Sequence, residues 1–358
     1  MLDFDDAGAA VAALCRPLEA ETIGLEAAYG RRLASAGISA VDLPPFDRSA
    51  MDGFAVRAAD TAPGARLKLA GAVAAGDTGD LGGSPLAPGS AMGITTGAAL
   101  PPGADAVLQL ELADAEDGFV VCRQAVAAGR HVRFRGEDVR CGDSLSPVGG
   151  LVNVQRLSAL ASAGVGEVTV YRRARVRILA TGSELLPLGA PSEPGRIHES
   201  NRPVLAALAQ RAGAQVMSSQ TVPDDRARTR DAVQAGLDGD VLLISGGVSV
   251  GTHDYVKPAL DDCGIEEVFW RVRLKPGKPL WFGRRDTTLV FGLPGNPLSS
   301  IACFLAFVEP ALARLHGDDN AVVATKPARL AAPAAPDDNR TTFLSATFEV
   351  AEDGMLEA

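Results

Sequence analysis

Residues 240–260 read Asp-Val-Leu-Leu-Ile-Ser-Gly-Gly-Val-Ser-Val-Gly-Thr-His-Asp-Tyr-Val-Lys-Pro-Ala-Leu. The stretch opens on an apolar strand, passes through a glycine-dense loop and ends in a predicted helix. Gly246, Gly247 and Gly251 let the backbone turn tightly and approach a ligand, and the helix start behind them adds N–H groups aimed at negative charge. Ser245, Ser249 and Thr252 supply hydroxyl donors. Read alone, the loop fits an ordinary strand-to-helix turn as well. Two similar junctions give it company: 177–180 runs into Thr181-Gly182-Ser183-Glu184, and 288–291 runs into Gly292-Leu293-Pro294-Gly295-Asn296-Pro297-Leu298-Ser299. In an open α/β sheet such loops gather at the carboxyl ends of parallel strands, where ligands bind.

Composition sets the outer bounds. At 358 residues the chain exceeds one ordinary core, so two or more domains are expected. Apolar residues make up 47% and charged residues 22%, enough to bury substantial cores and too apolar for disorder. A net charge of −10 argues against nucleic acid as a partner, because no basic surface is available to track phosphates. Cys15, Cys122, Cys141, Cys263 and Cys303 form no Cys-x-x-Cys pair and read as buried free thiols. The acidic start lacks a signal-peptide pattern and no uninterrupted apolar run reaches bilayer length, which excludes a membrane span and places the protein in the cytoplasm.

Along the chain, Val11, Leu14 and Leu18 carry helical spacing before Pro44-Pro45 closes the first segment. Residues 46–141 are rich in glycine, alanine and short β-like runs at 66–70, 91–95 and 119–123, and read as a β-rich insert. Asn153 is placed to cap a helix stopped by Gly164, and 167–170 reads as a strand. From 175 to 316 strand and helix alternate as in a doubly wound α/β domain. Residues 331–338 read as a linker into a β-rich tail whose first strand is 342–350.

A second constellation stands at Pro44-Pro45-Phe46-Asp47-Arg48-Ser49-Ala50-Met51-Asp52-Gly53, with Thr95-Thr96-Gly97-Ala98 and Arg133-Phe134-Arg135-Gly136-Glu137-Asp138 further on. Asp52 fits an Asx-type turn closed by Gly53 as readily as a site residue. Taken together with Ser200-Asn201-Arg202, Lys275-Pro276-Gly277-Lys278-Pro279 and the three glycine junctions, these segments resemble the molybdopterin molybdenumtransferases, the MoeA family, whose relatives include the E domain of gephyrin. The matching motifs span roughly 10–316 in one order.

The resemblance implies a multidomain α/β and α+β architecture. Residues 1–45 plus 142–174 would form an elongated discontinuous domain, 46–141 an inserted β-rich domain, 175–316 the molybdopterin-binding α/β domain, and 317–358 the start of a truncated, β-barrel-like C-terminal domain. It also implies insertion of molybdenum from molybdate into adenylylated molybdopterin with release of AMP, Mg²⁺ as the metal, and an elongated homodimer. Molybdopterin adenylyltransferase and a downstream molybdoenzyme are the implied protein partners. The chemical obstacle is charge: like-charge pairs at contact cost about 4 kcal/mol each at an effective dielectric of about 20, so a dithiolate meeting molybdate faces on the order of 10 kcal/mol.

Carried onto this sequence, the resemblance gives Asp52, Thr96, Asp138, Glu184, Asp224 and Asp254 as the reacting set, with Glu184, Asp224 and Asp254 as metal ligands. Ser245, Gly246, Gly247, Ser249 and Gly251 would hold the phosphate or pterin. Arg133, Arg271, Lys275 and Lys278 would bind anions, while Pro294, Asn296 and Pro297 would shape the wall. Arg271 stands after Trp270 where many bacterial relatives carry lysine, keeping the charge but changing its shape. Simpler roles compete: Asp224 or Asp225 as a helix cap, Glu184 as a helix-start charge, Lys275 and Lys278 as a solvated turn. Two alternatives also stand: molybdopterin adenylyltransferase, which shares the α/β fold without the segments around Asp52 and Asp138, and a non-enzymatic scaffold of the gephyrin kind. His131, His198, His253 and His316 form no ligand spacing.

Overall fold

A computed structural model describes residues 1–77, 85–248, 255–333 and 339–357. Helix α1 (Phe4–Leu14) begins with Asp5 and Asp6 in its first turn, where the helix dipole favours acid, and buries Ala7 and Val11. Its apolar face belongs to the core of the α/β half: Phe4 packs on Phe307 with ring centroids 5.3 Å apart. The chain then enters an extended region in which 20–24 pairs antiparallel with 167–171, and 37–38 with 144–146. The segments before and after the insert are thus stitched to each other.

The insert forms a six-stranded sheet of β1 (Gly53–Val56), β2 (Arg66–Val73), β3 (Ser90–Ile94), β4 (Ala106–Gln109), β5 (Ala113–Glu116) and β6 (Phe119–Cys122), in the order β4-β1-β3-β2-β6-β5. Gly53 stands inside β1 because a Cβ there would meet the Leu108 carbonyl oxygen at 2.1 Å, so it serves strand packing and does not close a turn. Helix α2 (Val154–Ser162) follows, capped by Asn153, whose side chain accepts the Arg156 N–H at 2.9 Å.

The second six-stranded sheet comprises β7 (Arg175–Thr181), β8 (Gln215–Val222), β9 (Val241–Ser245), β10 (Glu266–Trp270), β11 (Trp281–Arg285) and β12 (Thr288–Leu293), in the order β8-β7-β9-β12-β11-β10. The first four in that order are mutually parallel; β11 and β10 complete the other edge antiparallel. Helices α3 (Asn201–Arg211), α4 (Arg226–Gly236), α5 (Val256–Asp262), α6 (Pro297–Cys303) and α7 (Glu309–Leu315) cover its two faces. Alternation along the strands feeds both sides: Ile178 and Leu243 join Leu205, Phe304 and Phe307 on one, while Leu179 and Ile244 join Val233, Val256 and Leu260 on the other. This is the expected doubly wound arrangement with an antiparallel edge.

Two expectations change. Helices α6 and α7 join through a π-helical turn at 304–308 into one helix, Pro297–Leu315, of 19 residues and mean hydropathy 1.6, long and apolar enough to cross a membrane. Its Phe304, Phe307 and Leu312 are buried in the core instead. The strand expected at 342–350 is also absent as such: 341–342 pairs with 274–275, 349–350 pairs with 356–357, and the residues between them are in no strand. High β-propensity without a neighbouring ladder does not make a strand.

Candidate active site

The carboxyl ends of β7, β9 and β12 meet at a cleft of about 730 Å³. Thr181 ends β7 and Gly182 and Glu184 follow it, Asp224 comes from the loop after β8, Ser245 ends β9 with Gly246 to Val248 behind it, and Pro294 to Asn296 come from the loop after β12, with Pro297 opening α6. Glu199, Ser200 and Asn201 close the floor at the start of α3. Another cavity, about 450 Å³ between α1 and α7, is lined mostly by alanine, valine and phenylalanine, with Asp5 and Arg314 its charged residues. It offers no converging donors.

Two glycines shape the cleft through their backbones. Gly246 and Gly247 have φ of 90° and 65°, the left-handed region that side chains disfavour. A Cβ on Gly246 would come within 2.7 Å of the Thr181 carbonyl oxygen, and one on Gly247 within 2.4 Å of Val256 Cγ2. The glycines therefore let the turn nest between β7 and α5 as well as expose its backbone. Trp270 Nε1 donates to the Val248 carbonyl at 3.3 Å and fastens the far end of the turn.

Asn201 lines the cleft, a role that no pattern around it announces. Its Nδ2 donates to Ser245 Oγ at 2.7 Å and to the Gly295 carbonyl at 2.8 Å, tying the β9 and β12 loops together. Ser245, 2% exposed, is thereby an acceptor here. Glu199, also 2% exposed, accepts from the Arg202 N–H at 2.8 Å and pairs with the Arg202 guanidinium at 3.1 Å, which compensates its buried charge. A Ser-Asn-Arg string carries no spacing signal for these long-range contacts.

Among the acidic candidates, Glu184 and Asp224 both line the cleft. The Glu184 carboxylate lies over Gly182, close enough that a Cβ there would meet Oε2 at 2.5 Å. Asp224 Oδ2 accepts the Ser183 N–H at 2.9 Å, and Ser183 Oγ accepts the Asp224 N–H at 3.0 Å. Capping of α4 falls to Asp225, which accepts the Arg228 N–H at 2.8 Å. Asn296 likewise caps α6 by accepting the Ser299 N–H at 3.2 Å, with Pro297 in its first turn. Ser249, Gly251, Thr252, His253 and Asp254 lie outside the described residues. Among the described residues no group of three or more His, Cys, Asp or Glu side chains is close enough to hold a metal by itself.

The basic candidates stand elsewhere. Neither Lys275, Lys278, Arg271 nor Arg133 is among the residues lining the cleft. Arg271, with φ of 73°, stacks on Trp270 at 4.1 Å, and Lys257 lies over the same ring. Arg133 pairs with Glu137 and with Asp138 at 2.5 Å, so two candidates of opposite charge satisfy each other. Asp52 and Thr96 form one cluster in the insert: Asp52 Oδ1 accepts the Thr96 N–H at 2.7 Å and its hydroxyl at 3.1 Å. The local turn there is made by Ser49, whose Oγ accepts the Met51 N–H at 3.2 Å, in place of the Asx turn. The insert residues Asp52, Thr96 and Asp138 do not line the cleft of their own chain.

Comparison with known proteins covers both halves. The family model described as "MoeA N-terminal region (domain I and II)" matches residues 2–164, and that described as "Probable molybdopterin binding domain" matches 177–314. The chain is 36% identical over 303 residues to the molybdopterin molybdenumtransferase of Haemophilus influenzae, covering 84% of this chain and 74% of that one. It is 38% identical over 316 residues to molybdopterin molybdenumtransferase 2 of Mycobacterium tuberculosis, covering 85% and 76%. The crystal structure of a molybdopterin biosynthesis MoeA protein from Pyrococcus horikoshii superimposes with a TM-score of 0.81 at 31% identity, covering 92% of this chain and 84% of that one.

Proposed function

This chain belongs to the molybdopterin molybdenumtransferase family, and we propose that it inserts molybdenum from molybdate into adenylylated molybdopterin during molybdenum cofactor biosynthesis. The observation that carries the reading is the cleft at the carboxyl ends of β7, β9 and β12, where backbone, hydroxyl and carboxylate groups converge. The Gly246-Gly247 turn presents main chain to the phosphate-bearing part of the ligand, and the loop 294–297 walls the pterin.

The residues present suit a divalent metal shared with the ligand. Glu184 and Asp224 offer two carboxylates at one rim, and Asp224 keeps its second oxygen clear of the Ser183 N–H. Mg²⁺ is commonly held by one or two carboxylates together with substrate phosphate oxygens, so a third ligand from Asp254 would complete the protein's part. When bound, the metal would neutralise phosphate charge as the adenylyl group leaves as AMP. Glu184, Asp224 and Asp254 would orient it; Thr96 holds Asp52 ready to approach the same reaction.

The described lining contains no lysine or arginine, although the ligand is an anion. Positive charge would reach it from a bound divalent cation and from Lys275, Lys278 and Arg271 at the edge of the domain. We also read the working protein as a cytoplasmic homodimer whose insert domain, 46–141, faces the partner's α/β domain, 175–316, since Asp52, Thr96 and Asp138 do not line the cleft of their own chain. The segments 1–45 and 142–174 form the elongated domain between them. Incubating the protein with adenylylated molybdopterin, Mg²⁺ and molybdate tests the reading: AMP and molybdenum-bearing molybdopterin should appear together. AMP formation from ATP and molybdopterin would instead identify an adenylyltransferase, and no turnover of either would leave a scaffold.

A further inference from the structure

Oγ1 of Thr181 is buried and has no hydrogen-bond partner among the described residues, although it stands in the wall of the cleft. Thr181 ends β7, is 8% exposed, and follows Ala180, which pairs with Ser245 across the β7 and β9 ladder. The hydroxyl faces the Gly246-Gly247 turn: a Cβ on Gly246 would lie 3.2 Å from Oγ1 and one on Gly247 2.9 Å from it. Neighbouring polar groups are engaged, Ser245 with Asn201 and Ser183 with Asp224. A buried hydroxyl left unpaired carries its full desolvation cost, which a valine of the same shape would avoid. The unpaired atom is thus explained if its partner arrives with the ligand.

We propose that Thr181 orients the ligand by donating its hydroxyl to a phosphate oxygen of molybdopterin. The proposal rests on the reading of this cleft as the molybdopterin site. Because Oγ1 is buried beside the Gly246-Gly247 turn, the proposal requires that turn to shift as the phosphate arrives. The step is binding only and transfers no proton.

Isothermal titration with molybdopterin, paired with thermal unfolding, tests this on wild type, Thr181→Val, Thr181→Ala and Thr181→Ser. Loss of a hydrogen bond to a charged group predicts affinity lower by about tenfold or more for the valine and alanine variants, with serine close to wild type. The valine variant should melt at or above the wild-type temperature, the opposite of what a purely structural threonine would give. With the phosphate-free pterin as probe, all four proteins should bind alike. Wild-type affinity in folded Thr181→Val or, should that variant not fold, in folded Thr181→Ala overturns the proposal. So does an affinity loss that persists with the phosphate-free probe. Failure of the wild type itself to bind molybdopterin overturns the reading of the cleft.

Discussion

Acidification should weaken the α/β domain through one side chain, His316. Its Nε2 accepts the Ala174 N–H at 2.9 Å, at the junction between the 167–171 strand and β7. Burial, followed by the charges of Arg31, Arg173 and Arg32, pushes its pKa down from 6.5 to about 4, and Asp240 opposes that shift. Protonation would replace the acceptor with a donor facing a donor. The folded pKa lies below the unfolded one, so the unfolded chain binds more protons between them. The contribution is complete above about pH 6.5, declines through the window down to about pH 4, and is fully lost below it. Linkage with these two values gives a loss of about 2 kcal/mol between about pH 8 and about pH 5. For a domain of this size that is about 4–8 °C in melting temperature. His316→Gln keeps a carbonyl acceptor and removes the titration. Urea unfolding across this range, followed by tryptophan fluorescence, reads the right domain because both tryptophans, Trp270 in β10 and Trp281 in β11, lie in it. The stability difference between wild type and variant should shrink by about 2 kcal/mol on acidification. Parallel pH curves for the two proteins would refute the reasoning.

Asn201→Ala removes both ties between the β9 and β12 loops and should cost about 1–3 kcal/mol in denaturant unfolding. Asn201→Asp should weaken ligand binding further, since a carboxylate would face the Gly295 carbonyl and an anion; equal affinities for the two variants would argue against an anionic ligand there. Asp224→Asn and Asp254→Asn should each raise the Mg²⁺ concentration required for AMP release, by about tenfold or more if one charged metal ligand is lost; an unchanged Mg²⁺ titration removes that residue from the metal site. Asp52→Ala and Asp254→Ala homodimers should each be inactive, whereas mixed heterodimers should regain activity, up to about one quarter of wild type with random pairing and independent sites. Verified heterodimers as inactive as their parents would place both residues in one subunit.

The central strands were legible because β9 and β12 are buried on both faces and so read as unbroken apolar runs, Val241 to Ile244 and Leu289 to Phe291. Local caps were equally readable: Asn153 and Asp225 each accept an N–H three residues on. The antiparallel pair β10 and β11 gives a weaker signal, since its partly exposed residues break any simple alternation. Glycine positions announced a loop, yet not why they were needed: Gly247 is fixed by Val256 and Thr181, which no local pattern reveals. The roles of Asn201 and Thr181 depend on which loops meet in space. The candidate cations show the same limit: Arg133 stands among the anion binders the resemblance implies, whereas the fold pairs it with Glu137 and with Asp138.

Charge ties these observations together. In a single chain, the described wall of the cleft presents Glu184, Glu199 and Asp224, and only Glu199 has an ion-pair partner in Arg202. Adding a phosphate and a molybdate to such a wall without countercharge would create several like-charge contacts, each costing about 4 kcal/mol at an effective dielectric of about 20. A divalent cation held by Glu184 and Asp224 would convert those contacts from repulsive to attractive, so the acidic rim fits an anionic ligand that binds together with a metal. Arg133 is already neutralised by Glu137 and Asp138 in its own insert, so its arrival from a partner subunit would bring little net charge. In the proposed reading the load would fall chiefly on the metal. Removing Mg²⁺ should therefore weaken the adenylylated ligand far more than the phosphate-free pterin, because the phosphates of the former add most of the charge that the acidic rim repels.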